Sequence, residues 1–260
     1  MEILGRGRQA TVFAGTDGIA IKVFESWVDE SAARREAEVG DAVYQLGAPA
    51  PRIDGVRERD GRWAIEFERL PGPALIEELF RSPSEVAADL GRLAADIHAL
   101  DGSGFEEVRD QWLGRTDLPE IRDIERVIRG AAPDLPDGSS LLHTDLHPFN
   151  VMRDSQGAWV AIDWDGASHG DPAADVCRTV FLLVDADGPD GPSDAGVAQL
   201  RMEVGAAFLA SYRLASGPMS DQEIAAWRPV MLAARLGEDI AHERQRLIDL
   251  LRLEIPSGDD

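Results

Sequence analysis

The sequence predicts an α+β chain of two lobes: a small β-rich N-lobe with one helix over residues 1–70, and a larger, mostly helical C-lobe over residues 71–260. Three observations carry this. Asp17-Gly18 and Asp60-Gly61 each stand between two β-prone runs, a strong hairpin signal. Leu70-Pro71-Gly72-Pro73 then breaks the pattern and reads as a linker. Beyond it, apolar residues recur at helical spacing, as at Val86, Leu90, Leu93, Ile97 and Leu100.

Taken in order, residues 10–16 and 18–24 are strands, 30–46 a helix, and 53–59 and 62–69 a second strand pair. Ala32, Glu36, Val39, Val43 and Leu46 share one face of the helix, its expected inward side, while Glu38 falls off it. Residues 141–165 interrupt the later helices. A loop runs from His143 to Asn150, followed by a β-hairpin around Ser155-Gln156-Gly157 that ends near Trp164. Helices resume at about 172–185, 194–214 and 220–252. Ser220 with Glu223 forms a capping box, and Pro229 starts a new helix inside the last segment. The stretch 186–193, rich in Asp, Gly and Pro, is expected to be a mobile surface loop.

Composition excludes several classes of function. Lys and Arg total 26 against 48 Asp and Glu, a net charge of −22. Such a field repels nucleic acid and anionic membranes; it keeps the chain soluble and favours cationic partners. Apolar runs such as Val180 to Val184 are far short of the ~20 residues of a spanning helix. The N-terminus shows no basic-then-apolar leader. Cys177 is the sole cysteine, so no intramolecular disulfide forms, and a cytoplasmic location is expected. Lys22 is the sole lysine in a chain that otherwise uses arginine.

The chemistry concentrates in His143-Thr-Asp-Leu-His-Pro-Phe-Asn150. The template His-x-Asp-Leu-x-x-x-Asn describes a catalytic loop whose Asp takes the proton of an acceptor hydroxyl and whose Asn binds a metal. Asp145 and Asn150 match it. Asp163, at the end of a short apolar strand, stands where the main magnesium ligand is placed. Phosphoryl transfer needs hard oxygen ligands for the metal and a base aimed at the nucleophile. Gly5-Arg6-Gly7-Arg8-Gln9-Ala10 resembles the phosphate-covering Gly-x-Gly-x-x-Gly loop, with Ala10 in place of the third glycine. Lys22, in Ala-Ile-Lys on the next strand, matches the phosphate-binding lysine, and Glu36 on the following helix is its expected partner: a carboxylate on an apolar stripe demands a cation.

Singly, each element has an ordinary reading: a turn for Gly5 and Gly7, a structural ion pair for Glu36. Their order and spacing together select the template. Asp171 reads as a helix cap and Asp175 as a cap or a brace for the catalytic loop. His147 and His98 read as packed, hydrogen-bonded histidines, and Cys177 as a buried apolar residue.

The chain resembles the aminoglycoside phosphotransferase family, small-molecule kinases related to choline and homoserine kinases. His143 to Asn150, and Ile162-Asp-Trp-Asp-Gly-Ala-Ser-His-Gly-Asp-Pro-Ala-Ala-Asp175, are similar to that family's two signatures. Thr144 departs from the usual glycine, and Ala10 from the third glycine of the loop. The resemblance implies a bilobal, protein-kinase-like fold, ATP as phosphoryl donor and Mg2+ as cofactor. It places Phe67 at the back of the adenine pocket, with the Glu68 C=O and Leu70 N–H binding adenine; Pro71 has no N–H to offer.

The implied function is transfer of the γ-phosphoryl group to a hydroxyl of a small molecule, an aminoglycoside-like or other amine-bearing alcohol. Asp165, Glu238, Asp239 and Glu243 are the carboxylates expected to meet the amine, though the last three also read as the solvated face of a mixed-charge helix. A choline, amino-sugar or homoserine kinase is the alternative. A protein kinase is disfavoured: only residues 164–170 separate Asp163 from Asp171-Pro172, too few for an activation segment, and Thr144 replaces the catalytic-loop arginine. A non-catalytic nucleotide-binding module is the third reading, opposed by the intact Lys22, Glu36, Asp145, Asn150 and Asp163.

Overall fold

The computed structural model describes residues 2–186 and 195–255. From the N-terminus run strands β1 (Ile3–Arg6), β2 (Ala10–Ala14) and β3 (Ile19–Phe24), helix α1 (Glu30–Gln45), and strands β4 (Ile53–Arg59) and β5 (Arg62–Glu68). Helices α2 (Ile76–Leu79), α3 (Pro83–His98), α4 (Val108–Leu113) and α5 (Arg122–Ala131) follow. Four short strands come next: β6 (Ser140–Leu142), β7 (Val151–Arg153), β8 (Trp159–Ala161) and β9 (Ser168–Gly170). The described chain closes with α6 (Pro172–Val184), α7 (Ala195–Ser216), α8 (Asp221–Ala226), α9 (Arg228–Leu236) and α10 (Arg244–Glu254).

These elements pack as two compact units, one running up to Phe80 and including Pro148–Ala167, the other Arg81–His147 with the chain from Ser168 onward. The division does not coincide with the break expected after Leu70. Residues beyond that break pair with β7: the Gly72 N–H donates to the Arg153 C=O at 3.1 Å, and the Leu75 N–H to the Val151 C=O at 2.8 Å.

The first unit is built on an antiparallel sheet of order β1-β2-β3-β5-β4. Asp17-Gly18 (φ 55° and 76°) and Asp60-Gly61 (φ 51° and 74°) turn its two hairpins. Both central residues have positive φ, the backbone twist that matches two antiparallel strands and that Asp and Gly tolerate. Ala10, Phe24 and Ile65 pack with Ala33 and Ala37 of α1. Asp29 caps α1 by accepting from the Ala32 N–H at 2.8 Å. The buried face of α1 is Ala33, Ala37, Gly40 and Val43, one residue round from the expected stripe, and Leu46 is exposed. The small side chains let the helix lie close to the sheet, and Glu36 sits at the edge of the contact. Glu38 is exposed, as expected.

In the second unit α3 packs along α7, and β6 pairs with β9. Asp171 caps α6, and the expected capping box of Ser220 and Glu223 starts α8. Pro229 lies in the first turn of α9. The segment expected to be helical to residue 252 divides again at 237–243, where Asp239 takes φ 55°. The expected mobile loop lies, from residue 187 on, outside the described residues.

Candidate active site

The first unit gathers three of the expected residues around one ammonium. Lys22 Nζ lies 2.7 Å from Glu36 Oε1 and 2.7 Å from Asp163 Oδ1. Lys22 comes from the middle of β3, Glu36 from the second turn of α1, and Asp163 from the segment leaving β8. Burial opposes the charge on Lys22, but the carboxylates of Asp163 and Glu36 outweigh it, and its pKa is raised. Burial raises the pKa of Glu36, the Lys22 charge pulls it down, and the net is upward. Glu36 is held as a carboxylate mainly by this one lysine.

Asp163 was expected at the end of a strand. It lies two residues past β8, at φ 67°. The left-handed backbone takes it out of the ladder and turns its carboxylate to Lys22. The hairpin β7–β8 brings Asn150 to the same end: the Ile162 N–H donates to the Asn150 C=O at 2.9 Å. Asn150 is buried, while the Asp163 side chain is 44% exposed. A carboxylate and an amide are the kinds of oxygen donor Mg2+ takes, alongside waters and phosphate oxygens. No cluster of three or more His, Cys, Asp or Glu able to hold a metal occurs among the described residues.

In the glycine loop, a Cβ at Gly5 would meet nothing within 4 Å, and the Gly7 N–H closes the turn on the Ala10 C=O at 2.9 Å. Along 68–70, the Glu68 N–H donates to Arg52 and the Arg69 N–H to Gly18, both at 2.8 Å, while the Leu70 N–H finds no acceptor among the described residues. Phe67 packs, half-buried, against the core beneath the sheet.

The second unit holds Asp145. Its Oδ2 lies 3.4 Å from His147 Nε2 and its Oδ1 3.4 Å from Arg178 Nη2. Burial would raise its pKa; the hydrogen bond from His147 and the Arg178 charge prevail and hold the carboxyl well below the usual range. The loop is braced from below by Asp175, fully buried, which accepts from the His143 N–H at 2.9 Å, the Thr144 N–H at 2.8 Å and His98 Nε2 at 3.0 Å. Those donors outweigh burial and keep Asp175 ionised. Since Asp175 only accepts, His98 donates to it from Nε2, and His98 Nδ1 shares a hydrogen bond of 2.9 Å with the Tyr212 hydroxyl. Of the two readings of Asp175, the brace is the one observed. Asp171 also accepts from Trp227 Nε1 at 3.0 Å. Cys177 is buried, and its thiol is pushed up to about 12.

The carboxylates expected to meet an amine stand differently. Glu238 accepts from Arg178 Nη2 and from Arg235 Nη1, each at 2.7 Å. Glu243, 2% exposed, takes Arg235 through Nε at 2.7 Å and Nη2 at 3.1 Å. Asp239 pairs with Arg244 at 2.6 Å. Asp165, in the first unit, is exposed. Arg178, beside Asp145 and 3% exposed, was not singled out from the sequence. The signal available was its spacing of three from Asp175, which puts both on one face of α6.

The family model described as the phosphotransferase enzyme family matches residues 3–229. No curated protein sequence matches the chain. Solved structures do. A thermostable mutant of aminoglycoside phosphotransferase APH(4)-Ia, in ternary complex with ADP and hygromycin B, is similar with TM-score 0.70 at 16% identity, over 100% of this chain and 94% of that one. Aminoglycoside-3'-phosphotransferase of type VIII gives 0.62 at 20% identity, over 90% and 91%. Choline kinase LicA from Streptococcus pneumoniae gives 0.59 at 15% identity, over 98% and 93%. The fold is therefore the α+β, two-lobed, protein-kinase-like one.

Proposed function

From the chain's membership of the phosphotransferase enzyme family, which makes it a small-molecule kinase, we propose that it transfers the γ-phosphoryl group of ATP to a hydroxyl of a small molecule. The observation that carries the reading is Lys22 held at 2.7 Å by both Glu36 and Asp163. A compact ammonium oriented by a helix carboxylate suits phosphate oxygens, and a half-exposed carboxylate beside it suits a phosphate-bound cation.

Each residue then has a task. Gly5 and Gly7 let backbone approach the phosphates. Lys22 neutralises phosphate charge, and Glu36 fixes where Lys22 points. The Glu68 C=O and Leu70 N–H bind adenine in front of Phe67; the open Leu70 N–H supports this. Asp163 and Asn150 would hold Mg2+, which when bound supplies a Lewis acid that neutralises the phosphates. Asp145 orients the acceptor hydroxyl and takes its proton as the oxygen–phosphorus bond forms and the bond from the γ-phosphorus to the bridging oxygen breaks, the electron pair leaving with ADP. A carboxyl held this far down is a weak base, so its proton transfer is late and its main contribution is orientation.

The test is calorimetry with AMP-PNP with and without Mg2+. Wild-type protein should bind the nucleotide with Mg2+, and Asp163→Ala should lose most of that affinity, Asn150→Ala less. Unchanged affinity in Asp163→Ala would remove Asp163 from this role.

A further inference from the structure

We propose that the acceptor alcohol carries an anionic substituent, a carboxylate or phosphate, which Arg115 reads at the acceptor side of Asp145. This deepens the kinase reading above and rests on it.

An amine-bearing acceptor needs carboxylates with room for a cation. In the second unit, Glu238, Asp239 and Glu243 are each already in contact with an arginine. The Arg235–Glu243 pair is doubly bonded and buried, so an ammonium entering it would have to expel a guanidinium and leave that charge desolvated. Arg178 bridges Asp145 and Glu238 through one Nη2. Arg178 contacts Asp145 and Glu238, and Arg235 contacts Glu238 and Glu243, so each of these three carboxylates in the wall beside the base already has a guanidinium before Arg115 is counted.

Its open donors are cationic. Arg115 Nη1 stands 3.6 Å from Glu238 Oε1, the long limit of an ion pair, and its side chain is 39% exposed. Exposure rises from Arg178 (4%) through Glu238 (17%) to Arg115, so Arg115 is the accessible charge of this wall. It is fixed in place from below. Gly237 lies on the Arg115 backbone, where any Cβ would collide with the Arg115 carbonyl, and this contact sets Glu238 beside Arg115. A second observation points the same way. The Nε–H of buried Arg178 finds no acceptor among the described residues, yet lies on the guanidinium edge whose Nη2 holds Asp145 and Glu238. The unsatisfied group of this wall is thus a donor, closed to a ligand by its own burial, and it adds to the positive balance that Arg115 presents to solvent.

Matched hexoses separate the charge classes. Glucuronate, glucose 6-phosphate, glucose and glucosamine would be compared with Mg-AMP-PNP in thermal shift and with Mg-ATP in ADP release, at constant ionic strength, on wild type, Arg115→Gln and Arg115→Glu. Glucuronate or glucose 6-phosphate should surpass glucose and glucosamine by about tenfold in wild type, the scale of a charge-assisted hydrogen bond. Response to only one of the two anions tells carboxylate from phosphate. Arg115→Gln should weaken the preference and Arg115→Glu abolish it. An equal or stronger response to glucosamine, a preference that survives Arg115→Glu, or no response to either anion overturns the proposal. Loss of the AMP-PNP shift itself would instead sink the kinase reading.

Discussion

A lysine in a chain of arginines is informative only once its surroundings are known. Lys22 touches two carboxylates at 2.7 Å, and a planar, forked guanidinium cannot occupy that point without displacing one of them. Lys22→Arg should therefore cut turnover at least about tenfold although the charge is kept, and Glu36→Gln should do the same by releasing Lys22. Since both changes disrupt one cluster, the double variant should lose far less than the product of the two; independent, multiplying effects would refute the coupling. Asp145 makes a second test. Asp145→Asn should leave AMP-PNP affinity intact and reduce turnover by orders of magnitude, because Asp145 orients and deprotonates the acceptor hydroxyl and does not hold the nucleotide. Its folded pKa is depressed by burial-opposed contacts with His147 and Arg178. Asp145 thus stays ionised as pH falls through the ordinary carboxylate range, and the acidic limb of the rate profile should not come from it. Removing the cation with Arg178→Met takes away part of that depression, so an acidic limb belonging to Asp145 should appear in the variant where the wild type shows none. A pH profile that stays put would mean Arg178 does not set the state of Asp145.

At the scale of elements, the catalytic loop is a strained turn clamped by one buried carboxylate. Thr144 has φ 63°, a conformation costly for a β-branched residue, and its N–H is tied to Asp175 at 2.8 Å. Glycine relieves the backbone penalty and alanine does not, so Thr144→Gly should be more stable than Thr144→Ala by about 1 kcal/mol in urea unfolding. Equal stabilities would show that the loop carries no such strain. Thr144 was legible from the sequence as a departure from glycine, but its strain was not, because φ is fixed by a partner thirty-one residues away. The same limit explains other differences. The two Asp-Gly hairpins were readable because their turns are local. The pairing of β6 with β9 was not: each strand has three residues, and the intervening hairpin separates them. The buried face of α1 came out one residue round because small residues, Ala33, Ala37 and Gly40, decide the closest approach, whereas periodicity weights the larger ones.

Across the whole molecule, the net charge of −22 suggested acidic recognition of a cation, yet the carboxylates on the base's side are paired with arginines. Net charge counts residues; it does not say which of them a fold neutralises. The motif residues Lys22, Glu36 and Asp163 could be found because their template spacing is known, while Arg178 and Glu238, sixty residues apart, meet only through the packing of α6 against the segment after α9. The lone cysteine is a gauge of that packing. Cys177 lies within α6, surrounded by the helices of the second unit, and burial pushes its thiol up to about 12. The thiolate is the reactive form, so at pH 8 the folded protein offers almost none and keeps reagent out as well. Iodoacetamide should leave the native chain unmodified and alkylate it at the rate at which α6 is exposed by unfolding. For a domain of ordinary stability that slows labelling by at least about a thousandfold relative to the denatured chain. Urea should restore reactivity in parallel with loss of tryptophan signal from buried Trp112 and Trp227, which pack edge to face in the same unit. Labelling of the native protein near the denatured rate would mean that α6 is not part of a closed core, and the arginine–carboxylate wall built on it could not be held as described.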